Sequence, residues 1–118
     1  MGKEIAKGTI ARLPFTIYNA SRQPTNPDAG APNQAQIESI HVNGALTVVA
    51  GIAVVQLQDS VPANIPGYFS ANIPTANMNS EDQVDVRIRA VVNGATVREV
   101  ISFTVIERVI GLPFIDAN

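Results

Sequence analysis

The chain contains no cysteine and no tryptophan, and His41 is its single histidine. Without cysteine there is no disulfide framework, no thiolate nucleophile and no cysteine-held zinc or iron–sulfur site. One histidine cannot build a histidine-rich metal centre. Charge is scarce as well, at 15% of residues, with 8 basic against 10 acidic side chains and a net charge of −2. That balance gives no electrostatic footprint for nucleic acid. A soluble domain usually carries about 25% charge, so the shortfall suits a surface that partners cover. Long hydrophobic runs are missing too. The longest, 45–57, is broken by Thr47, Gly51 and Gln56 and falls short of the ~20 residues that cross a bilayer, so no membrane partner is expected. The first nine residues hold Lys3, Glu4 and Lys7 and no apolar core of a targeting signal.

Leucine is the most telling scarcity. There are 4 Leu against 27 Val and Ile. Leucine fills helix faces, whereas β-branched side chains suit a pleated surface. Asn, Gly and Pro are plentiful and supply turns. The composition therefore predicts an all-β chain. Its 118 residues match one domain, and its 46% apolar content is too high for disorder.

Periodicity places the strands. Residues 1–9 read as a loose N-terminal arm. Residues 10–18 alternate with Leu13, Phe15 and Ile17 on one face, and Pro14 marks an edge strand or bulge. Residues 19–36 form a long loop with three prolines, a length usually functional or ordered on a partner. A strand over 37–43 puts Ile40 and Val42 on one face and His41 on the other. Asn43-Gly44 then marks a hairpin, because a type I′ turn needs φ > 0 twice. Residues 45–58 read as one irregular strand or two short ones, with Gly51 as the irregularity. Residues 59–67 are turn-rich, 68–73 a short strand, and 74–82 a loop.

Residues 83–92 give the clearest strand, with Val84, Val86, Ile88, Ala90 and Val92 inward and Asp85, Arg87 and Arg89 outward. Asn93-Gly94 makes a second hairpin. The return strand, 95–105, points Val97, Ile101, Phe103 and Val105 inward, although Glu99 breaks that face. About seven strands at turn-punctuated spacing predict an antiparallel sandwich over 10–107.

Chemistry finds few footholds. A nucleophile–base–acid set could be assembled on paper from Ser39, His41 and Asp59, but nothing in the sequence fixes their geometry. Glu81, Asp82, Asp85 and Asp28 are candidate calcium ligands without EF-hand spacing. Neither a phosphate loop nor a dinucleotide fingerprint is present. No catalytic residue, metal site or cofactor is expected, and the protein reads as a non-enzyme. Arg87 and Arg89 share one face and form either a solvated ion-pair surface or a charged docking patch. The C-terminal arm, 108–118, carries Leu112, Phe114 and Ile115 among Gly111 and Pro113. Two readings stand for it: a last strand folded back on the domain, or an extension buried on another chain. Burying about 300 Å² of it at ~25 cal/mol/Å² would stabilise by roughly 7 kcal/mol before ordering costs.

Several phrases share one context: QPTNPDAGAP at 23–32, His41-Val42-Asn43-Gly44, PGYFSANIP at 66–74, and VDVRIRAVVNG at 84–94. Over roughly 10–106 the chain resembles the immunoglobulin-like β-sandwich domains of tailed-bacteriophage virion proteins. In those, a Gly-Tyr strand follows a loop, and a strand running to Asn/Asp-Gly follows a Gly/Glu-Asp turn. Ser80-Glu81-Asp82 occupies the turn position here. The neighbourhood of Tyr68 partly matches a tyrosine corner, while the antibody-type Cys…Trp…Cys signature is absent. The resemblance implies a structural role, most specifically capsid decoration. It implies the major capsid protein or other virion proteins as partners, and a homo-oligomer, trimers being common in capsid decoration. It also implies assembly in the host cytoplasm and residence on the capsid surface. Leu112, Phe114, Ile115, Arg87 and Arg89 are then the partner-binding candidates. A neck or tail component and a carbohydrate-binding module are the alternatives, Tyr18 and Tyr68 being the available sugar-stacking rings.

Overall fold

The computed structural model describes residues 3–60 and 63–107. Eight strands form two sheets: β1 (Lys3–Ala6), β2 (Ile10–Thr16), β3 (Gln36–Val42), β4 (Ala45–Thr47), β5 (Ala53–Ser60), β6 (Ala63–Pro74), β7 (Gln83–Val92) and β8 (Ala95–Ile106). The five-stranded sheet has the order β1-β8-β7-β3-β4, and the three-stranded sheet has the order β2-β6-β5. No α-helix occurs among the described residues. A single 3-10 turn, Ala31–Asn33, interrupts the long loop. The all-β expectation holds; the count is eight strands rather than about seven.

The core lies between the sheets and follows the period-2 pattern. Ala11, Leu13 and Phe15 of β2, and every second residue of β7 from Val84 to Val92, are buried. Phe15 and Phe69 stack with centroids 5.7 Å apart. In β3, Ile37 and Ile40 both turn to the core despite an odd spacing, which strict alternation forbids. A register shift between Ile37 and Ser39 inserts Glu38 as an extra residue and restores both to one face.

Both Asn-Gly pairs make the expected turns. Asn43 and Gly44 take φ 52° and 84°, and Asn93 and Gly94 take 50° and 78°, the paired positive angles of type I′. β2 is an edge strand, as Pro14 required. The apolar run splits into β4 and β5 around residues 48–52, because the chain there crosses from one sheet to the other.

Two expectations are corrected. First, residues 3–6 are not loose: β1 pairs in parallel with β8, Lys3 opposite Phe103 through Ala6 opposite Ile106. The short Lys-Glu-Ile-Ala stretch has no core of its own, but Ile5 packs against the shared one. Thr75, fully buried, holds the following turn by accepting a hydrogen bond from Gly8 N and donating one to Thr9 O. Second, the described residues of the turn-rich stretch 59–67 lie in strands. β5 runs to Ser60 and β6 starts at Ala63. Pro66 is tolerated because it falls between the paired positions Asn64 and Phe69, where the ladder to β5 is irregular, and before Tyr68, where β2 pairing begins. Val97 keeps its expected inward direction, opposite buried Ala90, but is 37% exposed, since β8 outruns the covering sheet at that end.

The long loop is ordered by its own chain. Asn26 Oδ1 accepts hydrogen bonds from Gly67 N at 3.0 Å and Gln56 Nε2 at 2.8 Å. The Asp28 carboxylate receives Asn93 N and Gly94 N, each at 2.8 Å, and so caps the second hairpin. Gly67 sits at φ 80°, and a Cβ there would lie 2.6 Å from Thr25 N. Only glycine allows the loop to close against β6 in this way.

Candidate functional site

The proposed nucleophile set is dispersed. Ser39 and His41 lie on β3 in the five-stranded sheet, and Asp59 lies on β5 in the other. The register instead aligns Ser102, Asp85 and His41 on successive strands. Ser102 Oγ donates to Asp85 Oδ1 at 2.7 Å, and His41 Nδ1 is buried without a partner. In this order the hydroxyl meets the carboxylate and not the imidazole, so the contacts of a Ser-His-Asp triad are not formed.

The calcium candidates are likewise apart and engaged. Asp28 caps the hairpin. Asp82 accepts from Asn43 Nδ2 at 3.0 Å and from Asn79 N at 2.8 Å. No group of three potential metal-ligating side chains occurs among the described residues.

Arg87 and Arg89 stand together on the outer face of the five-stranded sheet, as their spacing predicted. Arg89 pairs directly with Arg98 across β7 and β8, an arrangement that opposes like charges. Both cations are drawn apart. Arg98 bonds Glu38 Oε1 at 3.1 Å, and Arg89 donates to Pro32 O at 3.2 Å. Arg87 lies between Ser39 and Val100 and is exposed. This face is a hydrated lattice of mixed sign. The other partner-binding candidates, Leu112, Phe114 and Ile115, lie outside the described residues.

The opposite outer face differs. β2 turns out Ile10, Arg12, Pro14 and Thr16. Beside them β6 turns out Tyr68, Ser70, Asn72 and Pro74, and β5 turns out Ala53 and Val55. Ile10 and Val55 are each 48% exposed, and Tyr68 is 37% exposed. In sequence, the three strands contain two charged residues, Arg12 and Asp59. The five-stranded sheet contains eight: Lys3, Glu4, Glu38, Asp85, Arg87, Arg89, Arg98 and Glu99.

Residue-by-residue reading missed this charge-poor face because it has no motif. A signal did exist: between His41 and Glu81 the only formally charged residue is Asp59. Tyr68, considered for a tyrosine corner, stands on this face opposite Thr16. Comparison of the chain with protein-family models, curated proteins and solved structures found no match.

Proposed function

We propose that this protein is a non-enzymatic structural component of a bacteriophage virion, decorating the capsid by binding the shell of major capsid protein. The observation that carries the docking mode is the asymmetry of the outer faces. A sheet surface sparse in charge, with exposed Ile10, Val55 and Tyr68 beside Arg12, loses less hydration when covered than the more heavily charged face would. The three-stranded face is therefore the one that meets the shell. Arg87 and Arg89 would then stay in solvent or steer the approach.

The strand order supports an immunoglobulin-like assignment. β2-β6-β5 corresponds to strands B, E and D, and β8-β7-β3-β4 to G, F, C and C′. β1 takes the chain position of strand A but lies beside β8 instead of β2. The disulfide and tryptophan of antibody domains are replaced by a wholly aliphatic and phenylalanine core. This order and the turn phrases described above support the immunoglobulin-like reading, which the virion protein and the competing carbohydrate-binding module share.

The test is co-sedimentation with purified phage heads, aided by the genome neighbourhood of the gene. Val55→Asp is expected to abolish binding, while Arg87→Glu leaves saturation unchanged. Heads that bind neither protein would exclude decoration. The exposed rings of Tyr18 and Tyr68 define the competing outcome: saturable glycan binding lost in Tyr68→Ala would make this a carbohydrate module.

A further inference from the structure

We infer that the cleft beside the first half of β8 receives the C-terminal segment 108–118 of a second copy of this chain. β1 covers β8 only at positions 103–106. Upstream, residues 95–100 are exposed, and among the described residues no strand pairs with their outer edge. Unpaired N–H and C=O groups along that edge are a template for an added strand. Next to it a groove of about 220 Å³ opens between the sheets, walled by Phe15, Ile17, Tyr18, Ile88 and Val97. The groove holds a large apolar side chain, yet it is small beside the ~300–1,000 Å³ of drug-sized ligand pockets.

Chain length argues for a second copy. Val97 and Glu107 are ten residues apart, ~33 Å along a strand. Leu112 and Phe114 follow Glu107 by five and seven residues, ~17–23 Å at full extension. A tail folding back on its own β8 would also need residues for the reversal, and β1 already occupies the intervening edge. The chain's own Leu112 and Phe114 therefore fall short of its own groove, and a neighbour's do not.

The segment suits strand addition. In extended conformation Leu112 and Phe114 share one face. Pro113, between them, lacks an N–H, which an added strand tolerates where that position faces away from β8. Glu99 lines the groove wall and guards the edge against indiscriminate pairing, so the occupant must leave that carboxylate hydrated at the rim. The contact joins unlike surfaces of two copies and closes into a ring or propagates. It rests on this chain alone and not on what the molecule decorates.

Mass in solution tests it with two full-length variants, Val97→Arg to block the groove and Leu112→Asp/Phe114→Asp to block the segment. The wild type is expected at a multiple of 12.5 kDa, and each variant alone at 12.5 kDa. Their equimolar mixture restores one intact groove and one intact segment, so it should give a pair at twice 12.5 kDa. A monomeric wild type, a variant that still self-associates, or a mixture that stays monomeric would overturn the inference. Should Val97→Arg lose its β-sheet circular dichroism, Tyr18→Asp at the same wall takes its place. Self-association without head binding would sink the decoration reading alone.

Discussion

The two sheets share one core and present opposite surfaces to the outside. Inside, Leu13, Phe69 and Ile73 of one sheet meet Val84, Val86 and Phe103 of the other in a single buried cluster. Outside, one sheet carries charges of both signs, with one ion pair, Arg98–Glu38, among the described residues, and the other is close to neutral. Folding explains the inner likeness, because both faces must leave water together. It does not explain the outer contrast, since either surface would be adequate for a solvated monomer. Under the proposed decoration role, the two faces would meet different surroundings.

The comparison can be broken at its shared centre first. Phe103→Ala empties the middle of the common core and is expected to destabilise by about 3–5 kcal/mol. Both sheets should then melt in one transition, and two separate transitions by circular dichroism and tyrosine fluorescence would show that the core is not shared. Gly67→Ala comes next. Its positive φ and the 2.6 Å approach to Thr25 N are expected to cost about 2–3 kcal/mol, detected as a lower urea midpoint. Asp28→Ala removes the acceptor for two hairpin N–H groups, and the loss should be about 1–3 kcal/mol. Faster amide exchange at Asn93 and Gly94 would localise it.

The outer faces give the smallest effects. Glu38→Ala breaks an ion pair whose side chains are 36% and 61% exposed, so the change should stay below about 1 kcal/mol. Val55→Asp on the neutral face should shift stability by no more than about 0.5 kcal/mol, although it is expected to abolish head binding. A large stability loss in Val55→Asp would mean that the neutral face serves the fold and not a partner.

Much of this was legible along the chain. The alternation from Val84 to Val92 marked both the core face of β7 and its solvent face, so Arg87 and Arg89 were correctly grouped. The Asn-Gly pairs announced both hairpins, because positive φ at two consecutive residues is a local requirement. Legibility failed where a residue's role depends on a distant one. Lys3–Ala6 is too short and polar to show periodicity, and only the edge of β8, about a hundred residues away, makes it a strand. Pro66 looked like a breaker because its harmless position between paired residues is a property of two ladders. Asp28 looked like a free carboxylate, and its two N–H partners lie on a hairpin 65 and 66 residues further on.

The sequence by itself determined that the chain is all-β, where most strands turn, and which side of each strand is apolar. These follow from χ1 stiffness, turn angles and a period of two, all of which act over a few residues. Only the tertiary structure decided which strands lie side by side. That choice collected Pro14, Val55 and Tyr68 into one neutral face, left the first half of β8 bare beside a groove, and set its distance from Glu107. The physical reason is that strand neighbours are fixed by long-range closure and by burial of two apolar faces against each other. No local pattern carries that information.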